Sequence, residues 1–324
     1  MKASEYWDRE VTEPVTPPER SWMAHPLVRE YINQSVSGPA GGWPLDWFQA
    51  TYPQQFQRVL SIGCGTGALE RDLLRRGVAK SVVAFDASDE SLAIARQSAA
   101  TEGFAEQVTY FNADFNSVRL PKRAYDLICF HQSLHHVANL EQLMRQVSRA
   151  IAPGGLLYLE EFVGPSRDDW NEYRIRWYRA LYEFFPRTIR YFDAFAMPVQ
   201  EEDPSEAIRS SEILSTLCVG FRIEHFRGYG GNLLALLFPD LLVERLEDDL
   251  VRTIIRAEQA LIAAGDPHFH AVITLRRKEG LLARVVATLR YVLQPHFPRL
   301  TSELRFLRNR YRGRAAESSS KPGQ

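Results

Sequence analysis

Cysteine is scarce in this sequence. The three present, Cys64, Cys129 and Cys218, lie far apart and match no disulfide or metal-ligand spacing. A reduced, cytoplasmic setting with no bound metal is therefore the expectation. Long apolar runs are missing too. The longest, "LLALLFPDLLV", is short and broken by Pro239 and Asp240, too short for a membrane-spanning helix. The opening "MKASEYWDRE" is too charged for the apolar centre of a signal peptide. No internal repeat is visible. Net charge is nearly absent, −1 over 324 residues, but it is unevenly spread. From Arg276 onward 12 Lys or Arg face 3 Glu, a tail of about +9, and the part before it carries about −10. The two parts should meet different partners.

What is present is ordinary globular composition, 45% hydrophobic and 24% charged. From about 57 to 163 the pattern alternates. "QRVLSI" reads as a buried strand and "GALERDLLRRG" as an amphipathic helix closed by Gly77. "SVVAFDA" is a second strand, followed by a helix with Ser88 as its N-cap. "QVTYFNAD" and "YDLICFH" are strands three and four. "LEQLMRQVSRAIAPGG" is a helix stopped by Pro153, and "LLYLEEF" is strand five. Apolar strands joined by helical crossovers predict a parallel sheet covered on both faces. After Gly164 an aromatic-rich stretch reads as one long or broken helix, then an acidic loop leads into a helix. "GFRIEHFRGYG" and "HAVITLRRK" read as late strands, with the helix "LEDDLVRTIIRAEQALIAAG" between them.

The turn "GCGTGA" after the first strand is the richest local signal. Glycines there let a ligand approach the backbone and a helix N-terminus. Asp86, about 20 residues on, is placed to take both hydroxyls of a ribose, and Asp114 to meet an adenine amino group. The same glycines also satisfy a dinucleotide fingerprint, so a nicotinamide enzyme stays open on this evidence.

"VLSIGCGTGALE", "AFDAS", "NADFN", "YDLICFHQSLHHV" and "LMRQVSRAIAPGGLLYLEE" stand in the order and spacing of class I S-adenosylmethionine-dependent methyltransferases, which this sequence resembles over residues 57 to 163. The resemblance implies an α/β, Rossmann-like, doubly wound fold. Its seven-stranded sheet is mostly parallel with an antiparallel last strand, and here it would carry a helical lid insertion. The second mononucleotide half of a dinucleotide dehydrogenase is not visible. The resemblance further implies that Gly63, Cys64 and Gly65, with Gly67 closing the turn, cradle the methionine part of S-adenosylmethionine. Asp86, with Ala87 beside it, takes the ribose, Asp114 and Phe115 flank the adenine, and His131 lies near the sulfonium. The cofactor has no phosphate, so the helix N-terminus serves its carboxylate.

Methyl transfer to a hydroxyl needs alignment and a base. "HQSLHH" supplies His131, His135 and His136, and an i, i+4 helical spacing would put His131 and His135 on one face. His135 is the first candidate base and His136 the next, against a packing role for all three. Glu160 and Glu161 end the fifth strand in the same cleft, Glu161 as a candidate to orient the acceptor. Arg167 is a candidate to bind an anionic or sugar acceptor, or to cap the insert. All six tryptophans lie outside the core segment, and Arg167 to Phe192 holds nine aromatics in 26 residues, which predicts a lid over the cofactor.

The expected organisation is an aromatic cap at 1–56 and the catalytic domain at 57–277, with its lid at about 165–212. A basic amphipathic tail follows at 278–324, its "AAESSSKPGQ" end disordered. "DPSEAIRSSEIL" and "GYGGN" resemble a bacterial group linked with surface-polysaccharide or glycan assembly. A sugar or other small-molecule hydroxyl is then the expected acceptor, a phenol the alternative, and a non-catalytic binding module the rival from another class. In the tail, Leu281, Leu282, Val285, Val286, Leu289, Val292 and Leu293 fall at helical spacing, and Leu300, Leu304 and Leu307 repeat it. Such a tail packs on its own domain, docks on a partner or touches the inner membrane face. No nucleic-acid motif accompanies it.

Overall fold

The structure, a computed structural model, describes residues 3–12, 21–39, 41–170, 172–195 and 203–293. Seven strands form one sheet in the order β3-β2-β1-β4-β5-β7-β6. They are β1 (Val59–Ile62), β2 (Val82–Asp86), β3 (Val108–Asn112), β4 (Tyr125–His131), β5 (Ile151–Phe162), β6 (Phe221–Gly228) and β7 (His270–Arg277). The first five run parallel, whereas β7 is antiparallel to both β5 and β6. The expected fold class is thus the observed one.

Period-two alternation along the strands sorts the core onto two faces. Val59, Ala84, Leu127, Cys129 and Tyr158 point to one apolar layer, and Leu60, Phe85, Ile128, Phe130 and Leu157 to the other. Between strands run α4 (Ala68–Arg75), α5 (Asp89–Thr101) and α6 (Leu140–Ala150). Ser88 caps α5 as expected, its hydroxyl accepting from the Ser91 amide at 3.0 Å. The helix α6 ends at Ala150 rather than at the "APGG" turn, and the chain is already extended at Ile151, which pairs with Tyr125. Pro153 explains this, since it disfavours helical backbone in the residue before it and removes a helical donor.

The segment before β1 folds into three helices that the sequence reading had left as an unassigned cap: α1 (Ala3–Thr12), α2 (Pro26–Ser37) and α3 (Pro44–Thr51). The last two start on proline, whose missing N–H costs nothing in a first turn. In the insertion the long aromatic helix is broken: α7 (Glu172–Phe184) stops short of Pro186, and a 3-10 turn follows at Arg187–Ile189. Then come α8 (Ile213–Gly220), the short α9 (Leu234–Leu237) and α10 (Asp248–Ala263). The tail begins with α11 (Leu281–Leu293), which seats Ala287 and Tyr291 in the core and donates the Tyr291 hydroxyl to the Thr216 carbonyl at 3.2 Å. Val285, Val286 and Leu289 remain exposed. The second leucine segment and the tail's end lie outside the described residues.

Strand order reverses between β1 and β4, both of which pair on each side. The turns after these two strands therefore open beside each other, which is where open α/β sheets bind ligands.

Candidate active site

The turn after β1 is built on left-handed backbone at Gly63, Gly65 and Gly67 (φ 70°, 49° and 77°). A Cβ on Gly63 would come 2.5 Å from the Ser133 Cβ, and one on Gly67 2.5 Å from the Tyr110 hydroxyl, so close approach enforces both glycines. Gly65 has nothing within 4 Å of that position, so its face is open space. Asp86 ends β2 beneath the turn. Its Oδ2 accepts from the Gly65 amide at 2.8 Å and its Oδ1 from the Ser88 amide at 3.0 Å. Burial raises the Asp86 pKa against these bonds. Each carboxylate oxygen keeps a second lone pair for a ligand hydroxyl.

A cavity of about 730 Å³ opens from this turn. Gly63, Cys64, Gly65, Asp86, Ala87, Asp114, Phe115 and His131 all line it, so the expected cofactor residues converge on one space; Gly67 is the turn residue that does not. Ser133 lines it against Gly63, and His136 lines it together with Trp7 from α1 and Pro204, Ser205 and Ile208 from the insertion. The cap and the insertion therefore each supply wall to the cavity. Trp7 meets His136 edge-on at 5.0 Å, and the Asp8 carboxylate beside it accepts from the Ser88 hydroxyl at 2.7 Å, tying α1 to the start of α5.

The histidines are not arranged as a helical face. His131 ends β4, Gln132 takes a positive φ of 50°, and His135 and His136 sit in a 3-10 turn at Leu134–His136. No helix links His131 to His135, because the Gln132 amide still donates to the Glu160 carbonyl as a strand residue would. Glu161 is fully buried and outside the cavity lining. Its Oε2 accepts from the Ser133 and Leu134 amides at 3.0 and 2.7 Å, and its Oε1 bonds Nδ1 of His135. It therefore fixes the loop and the imidazole rather than meeting a ligand. Burial lowers the His135 pKa, but the carboxylates of Glu161, Glu206 and Asp203 outweigh it and push it up to about 9. Burial, with His135 alongside, holds the His136 pKa well below its ordinary value. Of the two, His136 reaches the cavity and His135 stands behind it. Glu160 lies 3.7 Å from Nε2 of His131. Arg167 donates to the Asp203 and Pro204 carbonyls at 3.2 and 3.1 Å, so it holds the insertion loop rather than lining the cavity.

Sequence reasoning missed Glu70. It lines the cavity, is 0% exposed, and neither carboxylate oxygen has a hydrogen-bond partner. Burial raises its pKa, and the Ser61 hydroxyl, near it but outside hydrogen-bond geometry, offsets only part of this. A signal was there: Glu70 falls on the apolar stripe of α4 with Leu69, Leu73 and Leu74, all buried. An acid on a buried stripe needs a partner. Asp203, Ser205 and Glu206 were missed as well, and they carry no local pattern in sequence.

A methyltransferase-domain family model matches residues 44–200. The demethylmenaquinone methyltransferase of Thermus thermophilus is 28% identical over 152 residues, which cover 43% of this chain and 68% of that one. A ubiquinone biosynthesis O-methyltransferase of Sinorhizobium fredii is 26% identical over 207 residues, covering 63% and 77%. Among solved structures, phosphoethanolamine N-methyltransferase 2 of Haemonchus contortus, in complex with S-adenosyl-L-methionine, shares the fold with a TM-score of 0.50. The identity is 15%, and the match covers 86% of this chain and 60% of that one. Across the curated relatives it matches, the chain spans between 28% and 77% of the relative's length.

Proposed function

We propose that the chain, whose residues 44–200 match a methyltransferase-domain family, is a class I S-adenosylmethionine-dependent methyltransferase that transfers the methyl group to a hydroxyl oxygen of a small sugar or phenolic ring. The observation that carries this reading is the single cavity running from the glycine turn to the Trp7, His136 and Ser205 wall. In it Gly63, Cys64 and Gly65 cradle the methionine part of the cofactor, Asp86 and Ala87 hold the ribose, Asp114 and Phe115 flank the adenine, and His131 lies toward the sulfonium. Glu70 gives the cofactor's ammonium an ionic partner and thereby gains one itself.

The acceptor end mixes a flat aromatic wall, Trp7, with hydrogen-bonding groups on Gln132, His136 and Ser205. That mixture suits a hydroxylated ring. The hydroxyl oxygen attacks the methyl carbon, the S–CH3 bond breaks, and its electron pair stays on sulfur. The products are S-adenosylhomocysteine and a methyl ether. The proton released leaves to water at the His136 and Ser205 end of the cavity. The relative named as an O-methyltransferase agrees with an oxygen acceptor.

The test is radiolabelled methyl transfer from S-adenosylmethionine to a panel of sugars and phenols, run beside calorimetry with S-adenosylmethionine and NAD. Labelled ether from one acceptor class supports the reading. Cofactor binding with no labelled product across the panel would make the chain a binding module, and binding of NAD alone would refute the domain's assigned ligand.

A second, separate proposal concerns peripheral membrane contact. It is supported by a groove of Lys122, Arg123, Arg145, Arg149 and Arg277 beside α11, whose Val285, Val286 and Leu289 are exposed. Lys122 and Arg123 precede β4, and Arg277 ends the antiparallel β7, so this groove lies at the sheet end opposite the cofactor turn. Contact there would anchor the protein and leave the cavity facing away from the bilayer. Salt-sensitive sedimentation with anionic liposomes supports it, and sedimentation that does not depend on lipid charge refutes it.

A further inference from the structure

The densest group of ligand-type side chains lies where the 3-10 turn after β4 meets the insertion loop before α8. Nε2 of His135 is 3.8 Å from the Glu206 Oε2, and Nδ1 of His136 is 3.9 Å from that oxygen and 3.5 Å from the Asp203 Oδ2. One donor atom each from His135, His136 and Glu206 lies within 4.8 Å of the others. Tetrahedral ligands at metal bonds of ~2.0–2.2 Å stand ~3.3–3.6 Å apart, so an ion would have to draw this set closer together.

Three independent features favour a cation there. The first is Asp203. The residue is 0% exposed, its Oδ1 accepts from the Ser205 amide and hydroxyl at 2.8 and 2.7 Å, and its Oδ2 has no hydrogen-bond partner. A buried carboxylate oxygen with no hydrogen bond, 3.5 Å from the His136 imidazole, is an unsatisfied ligand.

The second is the orientation of His135. Its Nδ1 is bonded to Glu161, which leaves Nε2 as the nitrogen that faces Glu206, and a cation there takes the place of the proton on it. A carboxylate behind an imidazole is the usual support of a metal-binding histidine, fixing both tautomer and ring.

The third is charge. Three carboxylates, Glu161, Asp203 and Glu206, converge on the two imidazoles, against the positive charges of His135 and of Arg167, which acts on Glu206. Buried carboxylates in excess call for a compensating cation.

We propose that His135 Nε2, His136 Nδ1, the Glu206 carboxylate and Asp203 Oδ2 form a site for one divalent transition-metal cation of the zinc, manganese or iron(II) class. Two imidazoles with two carboxylates suit that class better than magnesium or calcium, which prefer all-oxygen sets. On binding, His136 exchanges its 3.3 Å contact with the Ser205 hydroxyl for the ion, and that hydroxyl keeps its bond to Asp203. This site departs from the sequence expectation of no metal. The two acidic ligands follow the histidines by about 70 residues, and only the docking of the insertion brings them together.

The role assigned to the ion rests on the methyltransferase reading. His136 and Ser205 line the acceptor end of the cavity, so the ion sits beside the acceptor. With four protein ligands in place, the ion takes the acceptor hydroxyl as a fifth, and a hydroxyl so coordinated is more acidic than a free one. It gives its proton to water and attacks the methyl carbon as the oxyanion.

The test uses the full chain, stripped with a chelator and titrated with Zn2+ and with Co2+, whose visible absorption reports its ligands. One equivalent of metal per chain is expected, with Co2+ bands of a nitrogen and oxygen site. Glu206→Gln and Asp203→Asn should each weaken Zn2+ binding tenfold or more, and Glu161→Gln by ~10- to 100-fold through orientation alone. Affinity for S-adenosylhomocysteine is measured on the same samples. Absence of saturable binding by the native chain overturns the site, and so does binding that all three substitutions leave unchanged. Because the native chain is decisive by itself, a variant that fails to fold does not rescue the proposal. Full affinity for S-adenosylhomocysteine without metal binding refutes the metal site alone. Metal binding without affinity for S-adenosylhomocysteine or S-adenosylmethionine supports the site and refutes the methyltransferase reading.

Discussion

Substituting Glu70 with Gln separates cofactor recognition from stability, because the two should move in opposite directions. In the ligand-free fold, Glu70 is fully buried with both oxygens unpartnered, and burial raises its pKa. An acid whose folded pKa lies above its unfolded value of about 4.5 holds its proton more tightly in the fold. The folded state is therefore favoured at low pH. It loses that advantage as pH rises through the unfolded pKa toward the folded one. At pH 8 the carboxylate costs the empty protein on the order of 1–3 kcal/mol, the usual size of an unsatisfied buried group. Glutamine keeps the shape and removes the charge, so the empty variant should melt a few degrees higher at pH 8 than the native chain. With ligand bound, the balance reverses. A charge-assisted bond from the carboxylate to the ammonium is worth about 1.5–3 kcal/mol, and its loss weakens binding roughly 10- to 150-fold. Calorimetry at pH 8 with both S-adenosylmethionine and S-adenosylhomocysteine checks this. Both carry the ammonium and only the first carries the sulfonium, so both should weaken alike. Unchanged affinity for both, or a loss confined to S-adenosylmethionine, would refute the pairing of Glu70 with the ammonium.

Three further outcomes are expected. Asp86→Ala should weaken S-adenosylmethionine binding by roughly 1–3 kcal/mol, read by calorimetry, and undiminished affinity would remove Asp86 from the ribose. His270 is buried against Trp22, Tyr229 and Phe162, and burial, with the charge of His135 adding to it, lowers its pKa to about 3. The unfolded chain takes up that proton below about pH 6.5 while the fold does not, so stability should fall by about 2 kcal/mol from pH 7.5 to 5. Urea unfolding should show this drop in the native chain and a smaller one in His270→Phe, and equal drops would disprove the assignment. Ending the chain near Lys278 removes Tyr291 and Ala287 from the core, so the shortened protein should melt at lower temperature. An unchanged melting point would place α11 outside the folded unit.

The sheet was legible from local sequence, and the residues that line the cavity beside the glycine turn were legible from the family resemblance. Period-two strands, helices capped by Ser88 and closed by Gly77, and three glycines beside Asp86 are local facts, and local geometry follows from them. That the carboxyl end of β4 lies beside that of β1 followed from the resemblance rather than from the strand pattern, which left the strand order open. The helix ends were less legible. Pro153 marks a stop, but the stop comes three residues earlier because proline restricts what precedes it. Tertiary structure alone decided the acceptor end. Trp7 and Ser205 reach the cavity from segments on either side of the core, and neither stretch has a periodicity that points at it. It also decided the roles of the histidines. Adjacent in sequence, His135 and His136 differ because Glu161 takes the first ring and the cavity takes the second. The burial of Glu70, Asp203 and Glu161 is likewise a property of what packs over them. Side-chain chemistry can be read one residue at a time, whereas desolvation and partner choice depend on chain segments far away in sequence, and these set what each group does.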